Sequence, residues 1–249
     1  MTQSEELLRV LIYIEEKLDH GEIEEAESLC KQMLELYPEN AELLFVYAIT
    51  LQLLEKRKQA LSVFEQLVHN DHASAEVWNH YAFVLFEEQE YTKAQKALLV
   101  ALHQEPQSAF SWWILSLLRT FSGNFQAAKR TYLYAQWLDP DMYPKLNLLS
   151  QSQIENLLQQ SINLLPDEQQ PYWNSVIWNI TDIPDPTSLQ YQKMSPLKPL
   201  LFFESSTATL HIYRYNIAHL KLNKEALQQI IYEELSLLSH HQLWPAFDA

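Results

Sequence analysis

Side chains able to do chemistry are sparse in this sequence, and they gather toward its end. His211, His219, His240 and His241 fall there with Glu233 and Glu234. Two imidazoles and a carboxylate can hold a zinc ion, which would turn a bound water into a nucleophile near neutral pH. A metal-dependent enzyme built on such a site is one reading. Against it, adjacent His240 and His241 point in different directions from a helix end, where histidine is ordinarily a solvated partner of the helix dipole. The single Cys30 lies on the apolar face of a helical segment, as a buried small hydrophobe does, and is a poor nucleophile there. Only two glycines occur in 249 residues, so no glycine-rich loop is available to cradle a phosphate.

The bulk properties exclude more than they select. Acidic residues outnumber basic ones 32 to 17, and the net charge of −15 opposes a phosphate backbone, the more so because the bases nowhere run together. No apolar run reaches the roughly 18 residues needed to span a bilayer. One cysteine excludes an intramolecular disulfide framework and suits a reducing compartment. Glu5 and Glu6 precede the first leucines, the reverse of a secretory signal's order. A cytoplasmic protein without nucleic-acid or membrane partners is expected. An apolar fraction of 47% suffices for a real core.

The chain ahead of those side chains is organised by a repeat. Ala75-Glu76-Val77-Trp78 returns 34 residues later as Ala109-Phe110-Ser111-Trp112, Tyr91 returns as Phe125, Ala101 as Ala135 and Pro106 as Pro140. Sliding back by the same period finds Ala41, Leu44, Ala48, Ala60 and Phe64, then Gly21, Ile23, Ala26 and Pro38. Each copy splits into two apolar-periodic segments around a short polar break, which reads as a helical hairpin. A hairpin alone cannot bury its apolar face, so neighbours stack and share a continuous core. The predicted copies are about 7–40, 41–74, 75–108 and 109–142, within an array over 1–145.

Trp78, Tyr81, Ala82, Tyr91, Ala94, Ala101 and Pro106 resemble the tetratricopeptide repeat (TPR) consensus, as do Trp112, Leu115, Ser116, Gly123, Phe125, Ala128, Tyr132, Ala135 and Pro140. Ile14 and Met33 depart from it in the first copy, and Glu55 and His72 in the second. The resemblance implies a groove lined by the first helix of each hairpin: Phe45, Ile49 and Gln52, then Asn79, His80, Phe83 and Phe86, then Trp113, Leu117, Thr120 and Phe121. That set is aromatic and largely uncharged. Positions that clamp a terminal carboxylate in one TPR type read Leu11, Glu15, Val46, Glu76 and His80, so the cationic clamp is absent. An apolar or aromatic peptide segment, basic outside the groove, suits this lining better. Trp78 and Trp112 are expected in the core. Occupation of the groove by the chain's own C-terminal half is an alternative.

Composition changes after Pro140. Ser152 with Glu155 is a candidate capping box for a helix carrying Ile154, Leu157, Leu158, Ile162 and Leu165. Val176–Ile180, Leu200–Phe203 and Thr207–Tyr215 read as strands, and Asn223–Ser239 as a long helix. Residues 146–249 are thus predicted to form an α+β domain. Ile154-Glu155-Asn156-Leu157-Leu158, Val176-Ile177-Trp178-Asn179-Ile180 and Leu210-His211-Ile212-Tyr213-Arg214 resemble the minimal bacterial zincin-like metallopeptidase family. In active members of that family the long helix carries H-E-x-x-H. Here the aligned residues are Tyr232-Glu233-Glu234-Leu235-Ser236, with Gln242 near the third ligand's position, so both histidines are missing.

The expected fold is therefore mainly α, a TPR helical-hairpin superhelix followed by a small zincin-like α+β domain. The expected function is a non-catalytic adaptor without cofactor or metal, holding a protein or peptide partner in the groove. Its alternatives are a secretion-type chaperone for a client protein and the relocated-metal enzyme. Exposed aromatics and an unsealed last repeat leave a homodimer open.

Overall fold

The computed structural model describes residues 3–69, 73–185, 189, 194–198 and 200–243 of the chain. It divides into two compact units, Met1–Tyr143 and Pro144–Ala249. His72 lies outside the described residues, as do the side chains of His240, His241 and Gln242.

The first unit is a run of helices: α1 (Gln3–Asp19), α2 (Ile23–Leu36), α3 (Ala41–Leu53), α4 (Arg57–Val68), α5 (Ala75–Glu87), α6 (Tyr91–Gln104), α7 (Ala109–Phe121) and α8 (Phe125–Leu138). Local signals recur with the period of the sequence. Asn40, Ser74 and Ser108 cap α3, α5 and α7 by accepting from the N–H of Leu43, Val77 and Ser111, which satisfies a donor that the helix start leaves open. The turn inside each hairpin uses a left-handed residue at Gly21, Glu55, Gln89 and Gly123, with φ of 76°, 58°, 63° and 77°. Glycine takes that conformation freely, whereas Glu55 and Gln89 hold it against their own Cβ.

Small residues let the helices approach and large ones fill the gaps beside them. Ala48, Ala60, Ala82, Ala94, Ala101 and Ala135 are fully buried, among Leu51, Phe64, Leu98 and Ile114. Cys30 is fully buried, and burial pushes its thiol up to about 11, so it is a thiol in the core at neutral pH. Successive hairpins are also tied by polar pairs. Glu27 of α2 accepts from Lys56 Nζ at 2.7 Å, and the Lys31 and Lys56 ammoniums hold its carboxyl below the usual range. Arg57 Nε reaches Glu88 Oε1 at 2.8 Å. Trp78 and Trp112 are half-buried rather than core; Trp112 lies against Tyr134, with its Nε1 donating to the Pro106 carbonyl at 2.8 Å.

The second unit contains α9 (Gln151–Ile162), α10 (Gln170–Ser175), β1 (Ile177–Thr181), β2 (Leu201–Glu204), β3 (Thr209–Tyr213), α11 (Arg214–His219) and α12 (Lys224–Leu243). Its sheet has the order β1-β3-β2, with β1 parallel and β2 antiparallel to β3. Alternation along the strands sends Leu201, Phe203, Leu210 and Ile212 into a core with Ile154, Leu158, Trp173, Leu227, Ile231 and Leu235. Trp173 is fully buried and donates from Nε1 to Ser239 Oγ at 2.8 Å, which ties α10 to the last turns of α12.

Two expectations change here. The capping box of α9 is made by Ser150 and Gln153, not Ser152 and Glu155, because Ser150 and Gln153 bond each other's backbone N–H reciprocally at the true helix start. The third strand stops at Tyr213, and Tyr215 belongs to α11. The protein is thus mainly helical, with one small mixed three-stranded sheet.

Candidate functional site

Because α3, α5 and α7 recur at 34 residues, successive first helices lie side by side, and rings from neighbouring helices meet. The His80 ring lies 5.6 Å from Phe45, 6.2 Å from Phe64 in a stacked arrangement, and 5.0 Å from Phe110. Phe110 stacks on Trp113 at 5.7 Å and meets Phe83 at 6.1 Å, while Phe83 and Trp113 are 5.3 Å apart. Trp113 continues the row to Tyr143 at 6.0 Å. These are the separations at which aromatic pairs attract beyond their buried area. The result is one continuous aromatic ladder along the first helices of three hairpins.

Its members are not equally accessible. Phe45, His80, Phe83, Phe110 and Trp113 are half-buried, as are Ile49 and Gln52 beside them. Each leaves part of a ring or chain exposed while the rest is fixed by packing. The remaining residues assigned to the groove from the sequence are buried. Phe86 is fully enclosed, with Phe121 at 5.3 Å and Tyr91 at 5.7 Å. Phe121 and Leu117 are core residues, and Thr120 bonds back to the Ser116 carbonyl at 2.9 Å. Asn79 is 2% exposed. Its Oδ1 accepts from Ser111 Oγ at 2.6 Å and its Nδ2 donates to Ser108 Oγ at 3.3 Å. It joins α5 to the start of α7 and has no free face for a ligand.

The ladder is electrically quiet. Burial pushes His80 down to about 4, so its imidazole is neutral near pH 7. Its Nδ1 lies 3.3 Å from Gln52 Oε1; an amide oxygen only accepts, so the ring donates there. Phe110 was not among the groove residues read from the sequence, although it is the hub of the ladder. A signal was available: the equivalent residues one and two periods earlier are Glu76 and Glu42, and a phenylalanine replaces them only here.

On α12, the positions that would carry a zincin's ligands lead elsewhere. Tyr232 packs against the core and Ser236 is half-buried, while Glu233 is exposed and accepts from Gln229 Nε2 at 2.8 Å. Gln242 lies in the helix, its side chain outside the described residues. His211 stands on the outer face of the sheet, with Nδ1 3.1 Å from Asn179 Nδ2 and Nε2 3.7 Å from Glu204. His219 ends α11, and burial, then the charge of Lys221, pushes it down to about 4. Among the described residues no three His, Cys, Asp or Glu come together in a way that could hold a metal ion. Nor is any described helix long and apolar enough to cross a membrane.

Residues 17–79 match the family profile described as tetratricopeptide repeat. A comparison with curated proteins finds no match. Among solved structures, the crystal structure of MamA is similar at 23% identity, over 51% of this chain and 74% of that chain, with a TM-score of 0.46. YrrB, described as a TPR protein with an unusual peptide-binding site, is similar at 20% identity over 50% of this chain, with a TM-score of 0.45. The chain spans 64% of the YrrB chain, just under two thirds.

Proposed function

We propose that the first unit is a protein-interaction module that takes an apolar or aromatic peptide segment along the ladder of α3, α5 and α7. Tetratricopeptide repeats, which residues 17–79 match, are binding scaffolds as a class. The observation that carries the finer reading is the row of half-buried, uncharged rings formed by Phe45, His80, Phe83, Phe110 and Trp113. Rings held rigid on one side and open on the other give large contact area at little entropic cost, which is what anchor residues at interfaces supply. The chain's net charge of −15 favours a partner that carries basic residues outside the apolar segment.

In the same proposal, the second unit is a zincin-like domain whose long helix lacks the two histidines of H-E-x-x-H. A mixed sheet with a 20-residue helix packed on one face is consistent with it, and Tyr232 and Ser236 stand where the histidines would be. It serves as a scaffold rather than a catalyst.

The test is selection of peptides from a random display library on the full chain, followed by affinity measurement on Phe83→Ala, Trp113→Ala and the double variant. Selected peptides should be rich in aromatic and aliphatic residues with basic flanks. Each single variant should weaken them by about tenfold or more, the equivalent of ~1.4 kcal/mol. Peptides that bind the double variant as well as the native chain would remove the ladder from the function.

A further inference from the structure

The second unit contains a cavity of about 590 Å³ between the 144–149 segment, the first turns of α9, the end of α11 and the start of α12. Its floor is apolar: Leu157, Ile217 and Leu227 line it, each no more than 5% exposed. Its rim is basic. Lys145, Lys221 and Lys224 surround it, all with exposed side chains, and no aspartate or glutamate is among its lining residues. In a chain where acids outnumber bases 32 to 17, a lining that holds three lysines and no carboxylate favours an anion locally.

Several features make this a built cavity rather than a gap beside flexible lysines. The 144–149 wall is fastened by Arg214, whose Nε donates to the Leu149 carbonyl at 2.9 Å while its guanidinium pairs with Asp182 at 3.0 Å. Asn223, also in the lining, spends its Oδ1 on capping α12 through Ala226 N–H, which leaves its amide NH2 as a donor at the rim. Gln153 likewise accepts from Ser150 N–H through Oε1 and keeps its NH2. Donors and cations thus face a hollow with an apolar base. That combination fits a ligand with an anionic head and an apolar body.

Lysine ammoniums act as point charges, and a doubly charged phosphate monoester gains more from them than a singly charged carboxylate does. A volume of 590 Å³ falls within the range of roughly 300–1,000 Å³ in which small organic ligands bind. We propose that this cavity binds a phosphate-bearing organic molecule, its phosphate held by Lys145 and Lys224 and its apolar part seated on Leu157, Ile217 and Leu227. This site is independent of the peptide groove assigned to the first unit. A soluble organic phosphate and a lipid headgroup share this chemistry.

The test uses the full chain and 1-naphthyl phosphate, titrated at constant ionic strength and followed by calorimetry and amide chemical shifts. Saturable binding is expected, with shifts confined to the 144–157 and 217–227 segments. Lys145→Glu combined with Lys224→Glu should weaken it at least about tenfold, because two attractive pairs become repulsive. The variant's circular dichroism and melting should match the native chain, since both side chains are exposed. Inorganic phosphate, lacking the apolar part, should bind more weakly, and 1-naphthol should not bind. Vesicles of phosphatidylcholine with and without phosphatidic acid separate the sources: lysine-dependent capture by the acidic vesicles assigns a lipid headgroup, and its absence beside naphthyl phosphate binding assigns a soluble ligand. The proposal is overturned by three results: no saturable binding of either probe, equal binding by the double variant, or equal binding of sulfate and naphthyl phosphate.

Discussion

Asn79→Ala distinguishes a structural asparagine from a ligand contact. Asn79 is 2% exposed, and Ser111, whose hydroxyl it accepts at 2.6 Å, is fully buried. Removing the amide leaves that hydroxyl without its partner where water cannot replace it, at about 1–3 kcal/mol. The 3.3 Å bond to Ser108, which also caps α7, is long and adds no more than about 0.5 kcal/mol. The lost side-chain volume adds about 1 kcal/mol. One offset exists: Ser111 lies in the first turn of α7, and its hydroxyl can turn to the Ser108 carbonyl three residues earlier, as Ser116 does to Trp113. The expected cost is therefore about 2–3 kcal/mol, with a coupling to Ser111→Ala of about 1–2 kcal/mol. Urea denaturation reports the total, and native-state hydrogen exchange should place the loss in α5 and α7. A cost below about 0.5 kcal/mol, or simple additivity with Ser111→Ala, would show that this network does not hold the third hairpin to the fourth.

Two further perturbations test the turns and the ladder. Burial holds His80 at about 4 in the folded chain, against about 6.5 when unfolded, so the fold favours its neutral form. Its contribution is complete above pH 6.5 and is lost as pH falls toward 4, by roughly 3 kcal/mol from this histidine. His80→Gln should flatten that part of the pH–stability curve, while His219, lowered to a similar value, keeps its own share; an unchanged curve refutes the assignment. Gly123→Ala should cost about 1 kcal/mol, because φ is 77° and no atom lies within 4 Å of the added Cβ, so backbone strain acts alone. An alanine variant as stable as the native chain, measured by denaturation midpoint, would contradict that.

Much of the first unit was legible because its signals are local and repeated. The starts of α3, α5 and α7 follow from Asn40, Ser74 and Ser108, and the starts of α4, α6 and α8 fall 34 residues apart behind left-handed turns. A cap or a turn depends on a few neighbouring residues, and four copies read the same message. The one cap misplaced in the second unit, at Ser152 rather than Ser150, occurs once and had no second copy to correct it.

Helix periodicity places Phe83 and Phe86 on one face, yet Phe83 is half-open while Phe86 is closed over by Phe121 and Tyr91. Which of two such rings remains available depends on the next hairpin, and no periodicity within one helix contains that information. Trp173 meets Ser239 across 66 residues, and Lys145 shares a rim with Lys221 and Lys224. The sequence by itself determined the hairpins, since hydrogen bonding, caps and apolar spacing act over one or two turns. Tertiary structure alone decided which side chains are spent on packing and which face a groove or cavity, because burial is a property of neighbours that the chain brings together only when folded.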